Sequence, residues 1–129
     1  ILKRNFNKMI TGIGTDIVET DRIAKAIEKE QGFRELVFSK NEIAYCEPKT
    51  NKYQHYAARF AAKEAFFKAM GTGWKNGTAF NEVEIVNNEN GKPELKLLGK
   101  TAISIGVMKI HVSLSHIKNI ATAVVVVEQ

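Results

Sequence analysis

The chain has 129 residues, 44% hydrophobic and 26% charged, which is the length of one domain and the composition of an ordinary globular protein. Its net charge of +5 is inflated by residues 1–8, which hold three basic and no acidic groups; the remainder carries sixteen basic against fourteen acidic, a net of +2, so a general affinity for nucleic acid is not implied. The lone Cys46 excludes an intramolecular disulfide framework or a cysteine-built metal site and points to a reducing cytoplasm, and no apolar run reaches the roughly 18 residues needed to cross a membrane.

Residues 1–8 precede Met9 and read as an expression remnant or an unstructured leader, leaving 9–129 as a single domain. From Ile10 to Glu19 the chain is rich in β-branched residues and reads as a strand. Its period of two places Ile13, Thr15 and Ile17 on one face and Gly12, Gly14, Asp16 and Val18 on the other. Two glycines beside an aspartate leave room for something to approach the backbone closely. Thr20 is the expected N-cap of a helix reaching about Gln31, with Ile23, Ala26 and Ile27 on its apolar stripe and Arg22, Lys25 and Lys29 elsewhere. Phe33–Phe38 is expected as a turn or an extended link. Ser39-Lys-Asn-Glu42 is a capping box opening a short helix that Pro48 ends, with Cys46 as a small packing residue in its last turn.

A second, longer helix starts near Asn51 and continues through Arg59-Phe-Ala-Ala-Lys-Glu64-Ala-Phe-Phe-Lys68-Ala-Met into Gly71-Thr72-Gly73. Its residues are good helix formers, and neither proline nor glycine interrupts it. Ala58, Ala61, Ala62, Ala65 and Ala69 share a small-residue face on which another backbone could pack, whereas Phe60 and Phe67 lie on a different side. Glu64 and Lys68 fall between the two surfaces. They read as an i,i+4 surface pair or as a partly enclosed carboxylate with a counter-charge. Five basic residues between Lys49 and Lys68 surround the single acid Glu64. Such a segment suits an anionic ligand with a metal between, or else a solvated basic face.

Beyond Gly73 the pattern turns to strands. Glu82–Val86 alternates, Pro93–Leu98 follows, and Asn90-Gly91 between them predicts a type I′ hairpin turn. Gly99–Gly106 reads as a brief helix. A strand runs through Ile110, Val112 and Leu114 to His116, and Ile120–Glu128 is a last strand whose four consecutive valines imply burial on both faces. The whole is an α+β domain, an antiparallel sheet packed against one long helix.

Three blocks stand together: Gly12-Ile-Gly-Thr-Asp16-Ile-Val-Glu19, the Arg59–Gly73 run, and His111-Val-Ser-Leu-Ser-His116 before Ala121-Thr-Ala123. In order and spacing they resemble the holo-[acyl-carrier-protein] synthase family, the small trimeric type of 4′-phosphopantetheinyl transferase, from about Ile10 to Glu128. The resemblance implies the 4′-phosphopantetheinyl transferase-like fold and a cytoplasmic transferase. It would move the phosphopantetheine arm of coenzyme A to a serine of apo acyl carrier protein and release adenosine 3′,5′-bisphosphate. By that match Asp16 and Glu64 bind Mg²⁺ and Lys68 completes the catalytic set. Arg59, Lys63, Gly71, Thr72, Gly73 and His116 contact coenzyme A, and Arg22 faces the carrier protein. The family works as a homotrimer with active sites between subunits. The serine proton could pass to Glu64 or to a metal-bound water. Competing readings are a metal-dependent nucleotide or pyrophosphate hydrolase using the same carboxylates, and a non-catalytic nucleotide- or RNA-binding module. The last would show stacking aromatics on an exposed sheet face, but most aromatics here lie in helices.

Overall fold

The computed structural model describes residues 9–73 and 77–129; the expectation for residues 1–8 lies outside them. The chain runs β1 (Ile10–Glu19), α1 (Thr20–Lys29), α2 (Phe33–Val37), α3 (Lys40–Cys46), α4 (Lys52–Met70), a 3-10 turn (Phe80–Glu82), β2 (Val83–Asn87), β3 (Pro93–Leu97), α5 (Gly99–Ile105), β4 (Lys109–His116) and β5 (Ile120–Glu128). Strands β1, β5 and β4 form an antiparallel sheet in that order, while β2 and β3 form a separate hairpin. The register places Asp16 opposite Ala123 and Gly14 opposite Val125.

The long helix α4 is the centre of the domain. One side lies across β1 and β5, and the other meets α1, α3 and β2. Ala58, Ala61, Ala62, Ala65 and Ala69 are all buried, as their shared face requires. What approaches that face is β1 itself. A Cβ at Gly12 would land on the carbonyl oxygen of Ala69, and one at Gly14 on that of Ala65. The two glycines therefore make room for the α4 backbone rather than for a ligand. On another side of α4, Phe60 and Phe67 pack on Phe80, with ring centroids 6.3 and 5.2 Å apart.

The structure differs from the sequence expectations in four places. Phe33–Val37 is a helix, started at Gly32, whose left-handed backbone (φ 82°) separates it from α1. Its largest side chain, Phe33, lies 6.5 Å from the Phe60 ring, so packing against α4 stabilises a helix too short to persist alone. The N-cap position of α1 belongs to Glu19, and Thr20 is the first helical residue. Its side-chain oxygen is buried without a hydrogen-bond partner. The β2–β3 loop is not a two-residue type I′ turn, because only Gly91 has positive φ and Asn90 does not. Instead Gly91 N–H donates to Asn88 O at 2.9 Å, and Asn88 Oδ1 accepts from the N–H groups of Asn90 and Lys92.

Finally, β5 is covered on one face only. Val125 and Val127 are buried under α4, whereas Val124 is 40% exposed on the opposite face beside Ile13 and Ile17, at 69% and 65%. The alternation thus has one interior side within the chain and one apolar side facing outward.

Candidate active site

The capping box at Ser39 forms as its sequence indicates: Ser39 Oγ accepts from Glu42 N–H, and Glu42 Oε1 accepts from Ser39 N–H at 2.9 Å. The same Oε1 receives Lys63 Nζ at 2.7 Å. The Lys63 ammonium also donates to Phe80 O at 2.9 Å and Val83 O at 2.5 Å. Both side chains of the pair are 0% exposed. All three donors of the ammonium are consumed inside the protein. This corrects the expectation for Lys63: it ties α4 to α3 and to the start of β2 and has no free donor for coenzyme A. Burial depresses its pKa below the ordinary lysine value, opposed chiefly by Glu42.

Asp16 reaches the mouth of the β1–α4 contact because Gly14, two residues earlier on the same face, lets the helix lie directly on the strand. Lys68 Nζ meets Asp16 Oδ1 at 3.0 Å and Thr15 O at 3.1 Å. Lys68 is not paired with Glu64 in this arrangement; it bridges to the strand. Its side chain is 57% exposed and that of Asp16 15%. Glu64, one turn before Lys68, is half-buried. Its carboxyl is held above the ordinary range first by burial and then by the negative charge of Asp16, while Lys68 and Arg22 oppose this. The four groups thus share one electrostatic site, built from β1, α1 and α4. Among the described residues no group of three or more histidine, cysteine or acidic side chains surrounds a metal position. Two neighbouring carboxylates, with Glu64 held toward its protonated form by burial and by the charge of Asp16, do suit a hard divalent cation that keeps several of its waters. Arg22 is exposed on α1, its guanidinium 6.0 Å from the Phe60 ring centroid.

Arg59 and His116 meet in a second place. They line a pocket of about 200 Å³ with Tyr45, His55, Ala58, Asn87, Gly91, Pro93 and Leu114. The Arg59 guanidinium stacks 4.2 Å from the Tyr45 ring centroid and donates to Asn87 Oδ1 at 2.7 Å, but its buried Nε has no partner. Such an orphaned charged donor is costly unless an acceptor arrives. His116 is exposed, with Nδ1 3.1 Å from Gln54 Oε1. Sequence reasoning missed Tyr45, Gln54, His55 and Asn87. Only His55 carried a signal, its i,i+4 spacing to Arg59 on α4; the others arrive from separate elements. Gly71, Thr72 and Gly73 are exposed at the far end of α4, where Gly71 adopts φ 76° and caps the helix through N–H bonds to Phe67 O and Lys68 O. At the α-helical rise, the twelve residues from Arg59 to Gly71 span about 18 Å. One chain does not bring these two groups of expected coenzyme A contacts together.

An antiparallel three-stranded sheet laid on one alanine-faced helix, with an acidic pair at their junction and a basic pocket along the helix, defines an α+β domain. The sequence profile of the ACPS, 4′-phosphopantetheinyl transferase superfamily matches residues 12–125. Similar proteins include the holo-[acyl-carrier-protein] synthases of Cytophaga hutchinsonii, 50% identical with 91% of this chain and 96% of that one covered, and Ruminiclostridium cellulolyticum, 52% identical with 89% and 90% covered. Similar solved structures are the Neisseria meningitidis holo-[acyl-carrier-protein] synthase (TM-score 0.83, 33% identity, 94% and 100% covered) and the Bacillus anthracis enzyme in complex with CoA (3′,5′-ADP) (TM-score 0.80, 37% identity, 94% and 98% covered). The chain belongs to the holo-[acyl-carrier-protein] synthase family of the 4′-phosphopantetheinyl transferase superfamily and is a transferase.

Proposed function

We propose that this chain is a Mg²⁺-dependent enzyme that transfers 4′-phosphopantetheine from coenzyme A to a serine of apo acyl carrier protein. The serine Oγ forms a bond to the phosphorus bearing the pantetheine arm. The bond from that phosphorus to the bridging oxygen breaks, the serine proton passes to Glu64 or to a water, and adenosine 3′,5′-bisphosphate leaves. The observation that carries this reading is the Asp16–Glu64–Lys68 cluster at the mouth of the β1–α4 junction. Asp16 and Glu64 would hold Mg²⁺, which when bound offsets negative charge on the pyrophosphate. Lys68 supplies a flexible ammonium beside it, a counter-charge of the kind phosphoryl transfer needs. Arg59 and His116 bind a phosphate group of coenzyme A, a role supported by the unpartnered Arg59 Nε. Gly71, Thr72 and Gly73 present backbone for close approach to the nucleotide. Arg22, exposed on the α1 side of the cluster, meets the acidic surface of the carrier protein.

Two observations support a homotrimer with interfacial sites. The outer face of β1 and β5 leaves Ile13, Ile17 and Val124 uncovered. The two groups of coenzyme A contacts lie about 18 Å apart along α4, so different subunits would supply the two halves of one site. No described helix is long and apolar enough to cross a membrane, in keeping with a cytoplasmic enzyme of fatty-acid synthesis.

Incubation with apo acyl carrier protein, coenzyme A and Mg²⁺ should give a phosphopantetheine adduct by mass spectrometry. Asp16→Ala and Glu64→Ala should each lower the rate by on the order of 10²-fold or more. Arg22→Ala should raise KM for the carrier protein and leave that for coenzyme A nearly unchanged. Full activity in either carboxylate variant would refute the metal assignment. Consumption of coenzyme A without carrier protein would favour the hydrolase reading.

A further inference from the structure

The pocket around Arg59 holds more basic groups than the two assigned to coenzyme A. His55 lies one helical turn before Arg59 on α4, half-buried, with its ring edge-to-face against His116 at 5.5 Å and against Tyr45 at 5.6 Å. On the α3 side, the Lys49 ammonium sits 4.4 Å from the same Tyr45 ring. From every side the charged and titratable groups facing His55 are basic: His116 from β4, Arg59 from α4 and Lys49 from the loop after α3. Among the described residues no carboxylate lines the pocket. Gln54 orients the second histidine, because its amide oxygen accepts from His116 Nδ1.

A half-buried imidazole packed beside a second histidine and a buried guanidinium is disfavoured as a cation until a compensating anion arrives. Burial first, then the charges of His116, Arg59 and Lys49, hold the His55 pKa below the ordinary histidine value. A phosphate monoester brings between one and two negative charges near neutral pH, which offsets the positive field on the His55 ring. We infer that His55 is a second histidine of the phosphate-binding pocket and that it takes up a proton when a phosphate group of coenzyme A binds. Affinity for coenzyme A then falls as pH rises through neutrality, at a slope approaching tenfold per pH unit for each proton taken up. This rests on the pocket being a coenzyme A site.

The test is calorimetric titration of the full-length enzyme with coenzyme A in two buffers of different ionisation enthalpy, from pH 6.5 to 8. The buffer dependence of the heat gives the protons taken up. His55→Gln and His55→Phe, both uncharged at every pH, should lower the uptake relative to the parent and flatten the pH dependence of Kd. Comparing variant with parent cancels protonation changes on the phosphate itself, and the polar glutamine covers the case in which phenylalanine disturbs folding. Arg59→Ala separates the two levels of the argument. If it leaves Kd unchanged at all pH values, the pocket is not the coenzyme A site and the underlying reading fails. If it weakens binding while both His55 variants keep the parent's proton uptake, the site stands and the role given to His55 is wrong.

Discussion

Replacing Lys63 by methionine keeps much of the side chain's length and removes only its ammonium, at a position where no part of the side chain meets water. The change leaves the Glu42 carboxylate buried with two N–H donors, from Ser39 and Ile85, but without its cation. It also leaves Phe80 O and Val83 O short of the donor they share. Breaking a buried ion pair from one side costs about 3–5 kcal/mol. The orphaned carbonyls push toward the upper part of that range, without adding independently because they share one partner. A loss of about 4 kcal/mol is a large fraction of the 5–15 kcal/mol that stabilises a typical domain. For a chain of this length it corresponds to a fall in melting temperature of roughly 16 °C. The assay is urea unfolding followed by circular dichroism, alongside KM for coenzyme A measured well below the new transition. The expected result is a large fall in the unfolding midpoint with KM changed less than about twofold. An unchanged midpoint together with a much higher KM would show that the ammonium serves the ligand rather than the α3–α4–β2 junction, and the reasoning would be refuted.

Other consequences can be checked by the same means. Gly14→Ala would drive a methyl group into Ala65 O and to 2.6 Å from Ala69 N, forcing α4 off the strand. Overpacking of this kind costs about 1–3 kcal/mol, and because Asp16 and Glu64 sit on the two displaced elements, kcat should fall even at temperatures where the variant is folded. Native stability and full kcat in Gly14→Ala would contradict the contact. The Cys46 thiol is buried, and desolvation pushes its pKa up to about 12. It should resist iodoacetamide at pH 8 in the native state and react once the chain is unfolded in urea. Since its folded pKa lies above the unfolded one, the native state retains the proton longer. Cys46 therefore contributes stability that is present below about pH 8.5 and is progressively lost as pH rises toward 12. Rapid alkylation of native protein would show that the site is open.

Much of this architecture was legible along the chain. The alternation of Ile10–Glu19 defines β1 to the residue, Ser39 and Glu42 mark the start of α3, and the uninterrupted run before Gly71 marks the end of α4. These features are local: periodicity, caps and a left-handed glycine act within a few residues. The alanine face of α4 and the glycine face of β1 were each visible as surfaces made for close approach, yet neither named its partner. Periodicity describes one element, and the discovery that each face was made for the other needs both elements in space. The same limit misplaced Phe33–Val37, whose helix depends on packing against Phe60.

The residues of the site divide along the same line. Asp16, Glu64 and Lys68 could be singled out because a charged residue on an otherwise apolar face stands out from its own neighbours in the sequence. That Lys68 would bridge to Asp16 rather than pair with Glu64 depended on how the strand lies across the helix. Lys63 and Glu64 are adjacent charges in one helix, and nothing in their order distinguishes their fates. Only tertiary packing decides that the 100° between them turns Lys63 toward the carboxylate of Glu42 and the carbonyls beneath α4, and leaves Glu64 at the open side with Asp16. The chain by itself determined which charges would be present on α4; the enclosure of each, and hence whether it holds the fold together or meets a ligand, was decided by the elements packed around it.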